Sequence, residues 1–223
     1  MGSTHSCTNL SLLRNRICDI GQCTESIKGL KSNSASPSDI WILQLKPGTK
    51  YGETEINNKI VLKIFLSKIS EHFKNMGFKS SPGLIYESNI YNYVVGPMLE
   101  YNINPHFIRY YGRAVDCSFN QLTNILINKA KYEGEMMTKE KAIIALARNT
   151  FYMGGDIPGR PSITSKEDYE YDSFILTPEL FRKLMINKDS LGYGIIATEL
   201  SHGESFQNWL NLYSKPDIPK HII

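Results

Sequence analysis

The chain has 223 residues, of which 41% are hydrophobic and 21% charged, and a net charge of +3. That is enough chain to bury a sizeable core, and the charge balance excludes the dense Lys/Arg stripe of a dedicated nucleic-acid binder. No apolar run reaches the roughly 18 residues that a membrane span requires.

The first residues read Met1-Gly2-Ser3-Thr4-His5-Ser6-Cys7. They fit the N-myristoylation pattern, with Gly2 as the acylated amine and Ser6 as the required hydroxyl; a short pattern of this kind also arises by chance. One myristoyl chain gives marginal, reversible membrane binding, so a stable anchor needs a second signal. Cys7 is the candidate for a second acyl chain, and Arg14 and Arg16 for attraction to anionic lipid. The cysteines are Cys7, Cys18, Cys23 and Cys117, and no apolar signal core precedes them. Free thiols in a reducing compartment are therefore expected. Cys18 and Cys23 lack a second pair and a nearby His, so no zinc site is expected there.

In chain order, residues 1–31 read as an N-terminal arm, with a short helix around Leu10 to Cys18. The polar stretch from Lys31 to Asp39 is turn chemistry. Ile40 to Leu45 is a strand rich in β-branched and aromatic residues, and Pro47-Gly48 opens a turn. Lys59 to Phe65 is a second strand, with Val61, Lys63 and Phe65 on one face and Leu62 and Ile64 on the other. Residues 84–101 are helical, since Leu84, Glu87, Ile90, Tyr91, Val94, Val95 and Met98 recur at three- and four-residue spacing. Pro105 to Gly112 leads into another strand. Two helices fall within 119–152, separated around Glu133-Gly134, the second running from Thr138 to Tyr152. Residues 154–173 form a Gly-, Pro- and acid-rich loop. Pro178 to Asn187 is a short helix with Pro178 at its first position. Gly194 to Leu200 is a strand, and Phe206 to Tyr213 a helix. The order predicts an α+β fold.

This middle section resembles the N-terminal lobe of a divergent serine/threonine protein kinase of the kind found in large DNA viruses. Ile60-Val-Leu-Lys-Ile-Phe65 is similar to the strand carrying the nucleotide lysine, which makes Lys63 the candidate. Tyr86-Glu87-Ser-Asn-Ile-Tyr-Asn-Tyr-Val-Val95 is similar to the helix bearing its partner, Glu87. Asn102-Ile-Asn-Pro-His-Phe-Ile108 resembles the entry to the next strand. Ile195-Ile-Ala-Thr-Glu-Leu-Ser-His-Gly203 resembles the strand-to-hinge passage. It implies Thr198 as gatekeeper, with Glu199 and Ser201 offering a hinge carbonyl and amide to adenine. Ser205 to Leu210 resembles the helix after the hinge.

The resemblance implies an antiparallel sheet with one packed helix plus a mostly helical insertion. Its divisions are an arm (1–31), a lobe (32–112), an insertion (113–190) and a hinge-like strand with its following helix (191–223). ATP and Mg²⁺ are the implied cofactors, with myristate on Gly2. Two departures weigh on catalysis. The three glycine positions of a phosphate-covering loop fall on Asn33, Ala35 and Ser38, which weakens the backbone cradle that glycine permits. No H-R-D-like or D-F-G segment occurs, so no catalytic residue is assigned.

Other readings of single residues stay open. Lys63 is either the nucleotide lysine or an edge-strand lysine in solvent; Glu87 alone reads as an ordinary surface residue. His106 and His202 read as turn residues, and Asp168, Glu170 and Asp172 as a solvated acidic loop, so no metal ligand is expected. The favoured function is a non-catalytic, kinase-like protein of a large DNA virus, tethered by myristate and docked to capsid or membrane proteins. It would sit in the virion or on the cytoplasmic face of a membrane, with no nucleic-acid partner. The alternative is the N-terminal part of an active viral serine/threonine kinase.

Overall fold

The computed structural model describes residues 17–32, 38–56, 58–103, 107–132, 135–153 and 177–200. Five antiparallel strands make one sheet: β1 (Thr24–Ser32), β2 (Ser38–Leu45), β5 (Lys59–Lys68), β9 (Gly192–Glu199) and β6 (Tyr110–Ser118), in that spatial order. The short hairpins β3–β4 (Lys50–Tyr51, Thr54–Glu55) and β7–β8 (Lys131–Tyr132, Glu135–Met136) lie outside it. The class is α+β, as the strand and helix order predicts.

Alternation along β2 and β5 assigns each face of the sheet. Trp41, Leu43 and Leu45 on β2, and Ile60, Leu62, Ile64 and Leu66 on β5, are fully buried on one side. They join a core completed by α4 (Phe119–Leu126) and α5 (Lys139–Met153), which contribute Leu122, Ile125, Leu146 and Phe151. The helices after β6 thus close one face of the sheet, and their burial of large apolar side chains supplies most of the packing free energy. α4 begins at a reciprocal cap: Ser118 Oγ accepts the Gln121 amide at 3.2 Å, and Gln121 Oε1 accepts the Ser118 amide at 2.8 Å. This satisfies two backbone donors that the first turn leaves without helical partners.

The opposite face carries α2 (Gly83–Ile90), followed by a π-helical turn (Tyr91–Val95) and α3 (Gly96–Glu100). Leu84 packs there with Phe65 of β5 and Ile196 of β9. Tyr91 stacks on Tyr110, with ring centroids 5.2 Å apart and planes 6° from parallel.

Most expected elements appear, with shifted ends. The helical stretch read as one run over 84–101 is α2, the π turn and α3. The short helix α6 occupies Pro178–Asn187 as expected, and Thr177 Oγ1 accepts the Leu180 amide at 3.2 Å to cap it. The elements not expected include α1 (Glu71–Asn75), β1 and the two short hairpins β3–β4 and β7–β8. β1 lies within the stretch read as an arm, so the sheet begins at Thr24. β6 runs from Tyr110 to Ser118, across the division expected at 112–113.

The cysteines correct the expectation of free thiols. Cys23 and Cys117 each take part in a disulfide. Both are fully buried, in the core beside the 3₁₀ turn Ile17–Gln22 and the end of β6.

Candidate nucleotide site

Lys63 and Glu87 are brought together across 24 positions of sequence. The Lys63 Nζ donates to Glu87 Oε1 in a salt bridge between β5 and α2. The strand places Lys63 on the α2 face because its neighbours Leu62 and Ile64 point into the core. About a third of the lysine side chain (31%) and 27% of the glutamate's remain exposed. The pair therefore keeps contact with water, and its net contribution to folding is small, within about 1 kcal/mol. Its consequence is geometric: a cation is held at a fixed place at the edge of an apolar surface.

That surface lies on the same face. Ile40 stands opposite Lys63 and Ile42 opposite Val61 in the β2–β5 register, and all three aliphatic side chains are half-buried. Thr198 is opposite Val61 on β9 and is buried. A flat apolar group can lie on the aliphatic strip while an anionic group meets Lys63. A bound phosphate would meet a charge-assisted hydrogen bond from the ammonium.

Glu199 ends the strand. Its backbone N–H donates to the Arg109 carbonyl at 2.8 Å, and its carboxylate Oε2 accepts the Arg109 amide at 3.3 Å. The amide is thus committed within the sheet. Burial, with the Glu199 carboxylate second, pushes the neighbouring Tyr111 phenol up to about 12.

The structure adds residues that were not expected at this site. Arg113 of β6 stands in register with Ile196, which stands in register with Lys63. One row of the sheet therefore holds two cations flanking an isoleucine. Arg113 Nη1 donates to Ser88 Oγ at 2.6 Å, and Ser88 donates to the Ile85 carbonyl at 3.1 Å. Ser88 is fully buried. Adjacent residues of α2 thus answer the two cations of this row: Glu87 to Lys63, and Ser88 to Arg113. No helical or strand periodicity marks Arg113, because the row exists only once β5, β9 and β6 are aligned. Gly192 and Gly194 in a strand were the legible signal, since glycine there marks close backbone approach.

Ser201, Asn104, Pro105, His106 and His202 lie outside the described residues, as do Gly2, Ser6, Cys7, Arg14, Arg16, Asn33, Ala35, the loop 154–173 with its acidic residues, and the helix expected from Phe206 to Tyr213. Among the described residues, no group of three or more His, Cys, Asp or Glu side chains could hold a metal ion, and no helix is long and apolar enough to cross a membrane. No protein-family model matches the chain, and neither a curated protein nor a solved structure matches it.

Proposed function

We propose that this chain is a kinase N-lobe-like nucleotide-binding module, of the divergent serine/threonine kind found in large DNA viruses. The observation that carries the reading is the Lys63–Glu87 salt bridge between the third strand of a five-stranded antiparallel sheet and α2. A kinase lobe uses this pairing to aim a lysine at the α- and β-phosphates. The strand order supports it: the Lys63 strand lies between a preceding hairpin partner and β9, whose far end carries Thr198 and Glu199.

The residues present fit ATP in part. Lys63 would meet phosphate, Ile40, Ile42 and Val61 the base, and Thr198 the gatekeeper position. No described donor set is assigned to Mg²⁺. The 223 residues contain no H-R-D-like or D-F-G segment, so the module is read as binding without transferring phosphate; the alternative is the N-terminal part of an active viral kinase. A thermal melt of the intact chain with millimolar MgATP tests the binding. A rise in Tm for the wild type that Lys63→Met abolishes supports the reading, and no rise in the wild type contradicts it.

A second reading is that of a virion structural or docking protein, tethered by myristate on Gly2 and meeting a capsid or membrane protein. One observation favours it: Ile85, Tyr86, Tyr93, Val94, Tyr101 and Ile103 are exposed along the α2–α3 stretch, and such apolar patches mark protein contacts. Intact mass of the protein from its natural source separates the two aspects. A myristoyl group on Gly2 supports tethering, and an unmodified glycine opposes it.

A further inference from the structure

Gly194 lies in β9 directly under α2. It stands opposite Phe65 in the β5–β9 register, and both border the small cluster of Phe65, Leu84 and Ile196. A Cβ at Gly194 would lie 2.0 Å from Leu84 Cδ2 and 2.8 Å from both Cδ1 and Cγ. Turning the isopropyl group does not relieve this contact, because Cγ itself is too close. Leu84 is buried at 2% exposure, with Phe65 and Ile196 on either side, so it has little room to take another rotamer. Any side chain at 194 must lift the start of α2 from the sheet.

Glu87 is three residues beyond Leu84, on the next turn of the same helix and the same side. A lift of α2 at Leu84 therefore moves Glu87 away from Lys63. Ser88 bears on the same motion from the other side, since Arg113 of β6 holds it. The helix is seated by an apolar knob over a bare Cα and by a hydrogen bond to the neighbouring strand. The ion pair depends on that seat.

We propose that Gly194 is a positioning residue: its lack of a side chain lets Leu84 settle on β9, and this seat, shared with the Arg113–Ser88 hydrogen bond, holds Glu87 on Lys63. The inference deepens the nucleotide-binding reading by naming what controls the lysine. Its test uses no nucleotide, so the two can fail separately.

The measurement is the rate at which an amine-selective acylating reagent modifies Lys63 in the intact chain, read by mass spectrometry of the peptide containing it. In the salt bridge the amine is engaged by the Glu87 carboxylate, and so is acylated more slowly. Glu87→Gln calibrates the unpaired rate and is expected to be severalfold faster than wild type. Gly194→Ala is expected to approach that rate, with circular dichroism unchanged. The double variant Leu84→Ala/Gly194→Ala removes Cγ and both Cδ atoms, lets two methyl groups meet where the leucine met the bare Cα so that the helix stays seated, and is expected to return to the wild-type rate. Arg113→Leu is expected to give an intermediate rise. A folded Gly194→Ala with the wild-type rate overturns the proposal, as does a double variant that stays fast. If Gly194→Ala does not fold, the double variant and Arg113→Leu decide: a restored fold with the slow rate and a rise for Arg113→Leu support the proposal, and anything else overturns it.

Discussion

Asp39 and Asn149 meet across the join between the sheet and the inserted helices: the Asn149 side-chain amide donates to Asp39 Oδ2 at 2.6 Å. Asp39 is on β2 and Asn149 on α5, 110 positions apart in sequence. The same oxygen accepts the Trp41 indole N–H at 2.8 Å, while Oδ1 has no hydrogen-bond partner among the described residues. Asp39 is buried at 2% exposure. A carboxyl in that position is cheapest when neutral, and burial pushes its pKa up to about 7 against the pull of the Trp41 and Ile40 hydrogen bonds.

The first prediction follows from this. Between an ordinary carboxylate pKa near 4 and the folded value near 7, the folded chain holds a proton that the unfolded chain has lost. Stability from this group is thus fully present below about pH 4 and is lost as pH rises through 7, by roughly 2–4 kcal/mol. Asp39→Asn removes the titration and is expected to flatten that part of the profile. Urea unfolding at pH 5 and pH 8 checks it. A wild-type midpoint that does not fall between the two, or an Asn variant with the same fall, contradicts the assignment.

The disulfides at Cys23 and Cys117 give the second. Reduction is expected to lower stability by roughly 2–4 kcal/mol, since cross-links restrict the unfolded chain. A thermal melt with and without a phosphine reductant reads this directly, and superimposable curves would refute it.

The capping box gives the third. Ser118→Ala removes the acceptor for the Gln121 amide at the start of α4, and should cost about 1 kcal/mol. The deeper change Leu146→Ala, in the α5 core, should cost roughly 2–5 kcal/mol. Chemical denaturation of both variants should preserve that order.

Much of this fold was legible in the sequence because alternation and turn chemistry are local. The period of two along Lys59 to Phe65 separates the Leu62/Ile64 face from the Val61/Lys63/Phe65 face, and burial follows that division as far as Ile64, with Phe65 buried on the other face beside Leu84 of α2. Pro178 announces α6 by its ring geometry at the first helical position, and the Thr177 cap came only with the structure. β1 was not legible as a strand. Its sequence, Thr24-Glu-Ser-Ile-Lys-Gly-Leu-Lys-Ser32, is polar and contains a glycine, and its strand character comes from pairing with β2. Lys63 and Glu87 were found as a pair because a kinase-like order proposes them. Arg113, Ser88 and Gly194 were not found, because their roles depend on the register of β5, β9 and β6, a tertiary property with no local period. The disulfides at Cys23 and Cys117 were missed because an absent signal core spoke for reduced thiols.

Glu87→Gln is the fourth prediction. It removes the charge that holds Lys63 and leaves the shape of α2 nearly unchanged. Stability should change by no more than about 1 kcal/mol, because the pair is partly solvated. Nucleotide affinity should fall severalfold, because the lysine is no longer aimed. Equal losses in stability and affinity would mean that the pair is a structural tie only.

The central claim is that Lys63 receives the phosphates of a nucleotide. Calorimetric titration of ATP, with and without Mg²⁺, into the intact wild-type chain and into Lys63→Met tests it most directly. The account predicts saturable binding to the wild type and at least tenfold weaker binding to the variant, a loss of about 1.4 kcal/mol or more. Equal affinity in the two chains, or no heat of binding in the wild type, would contradict it.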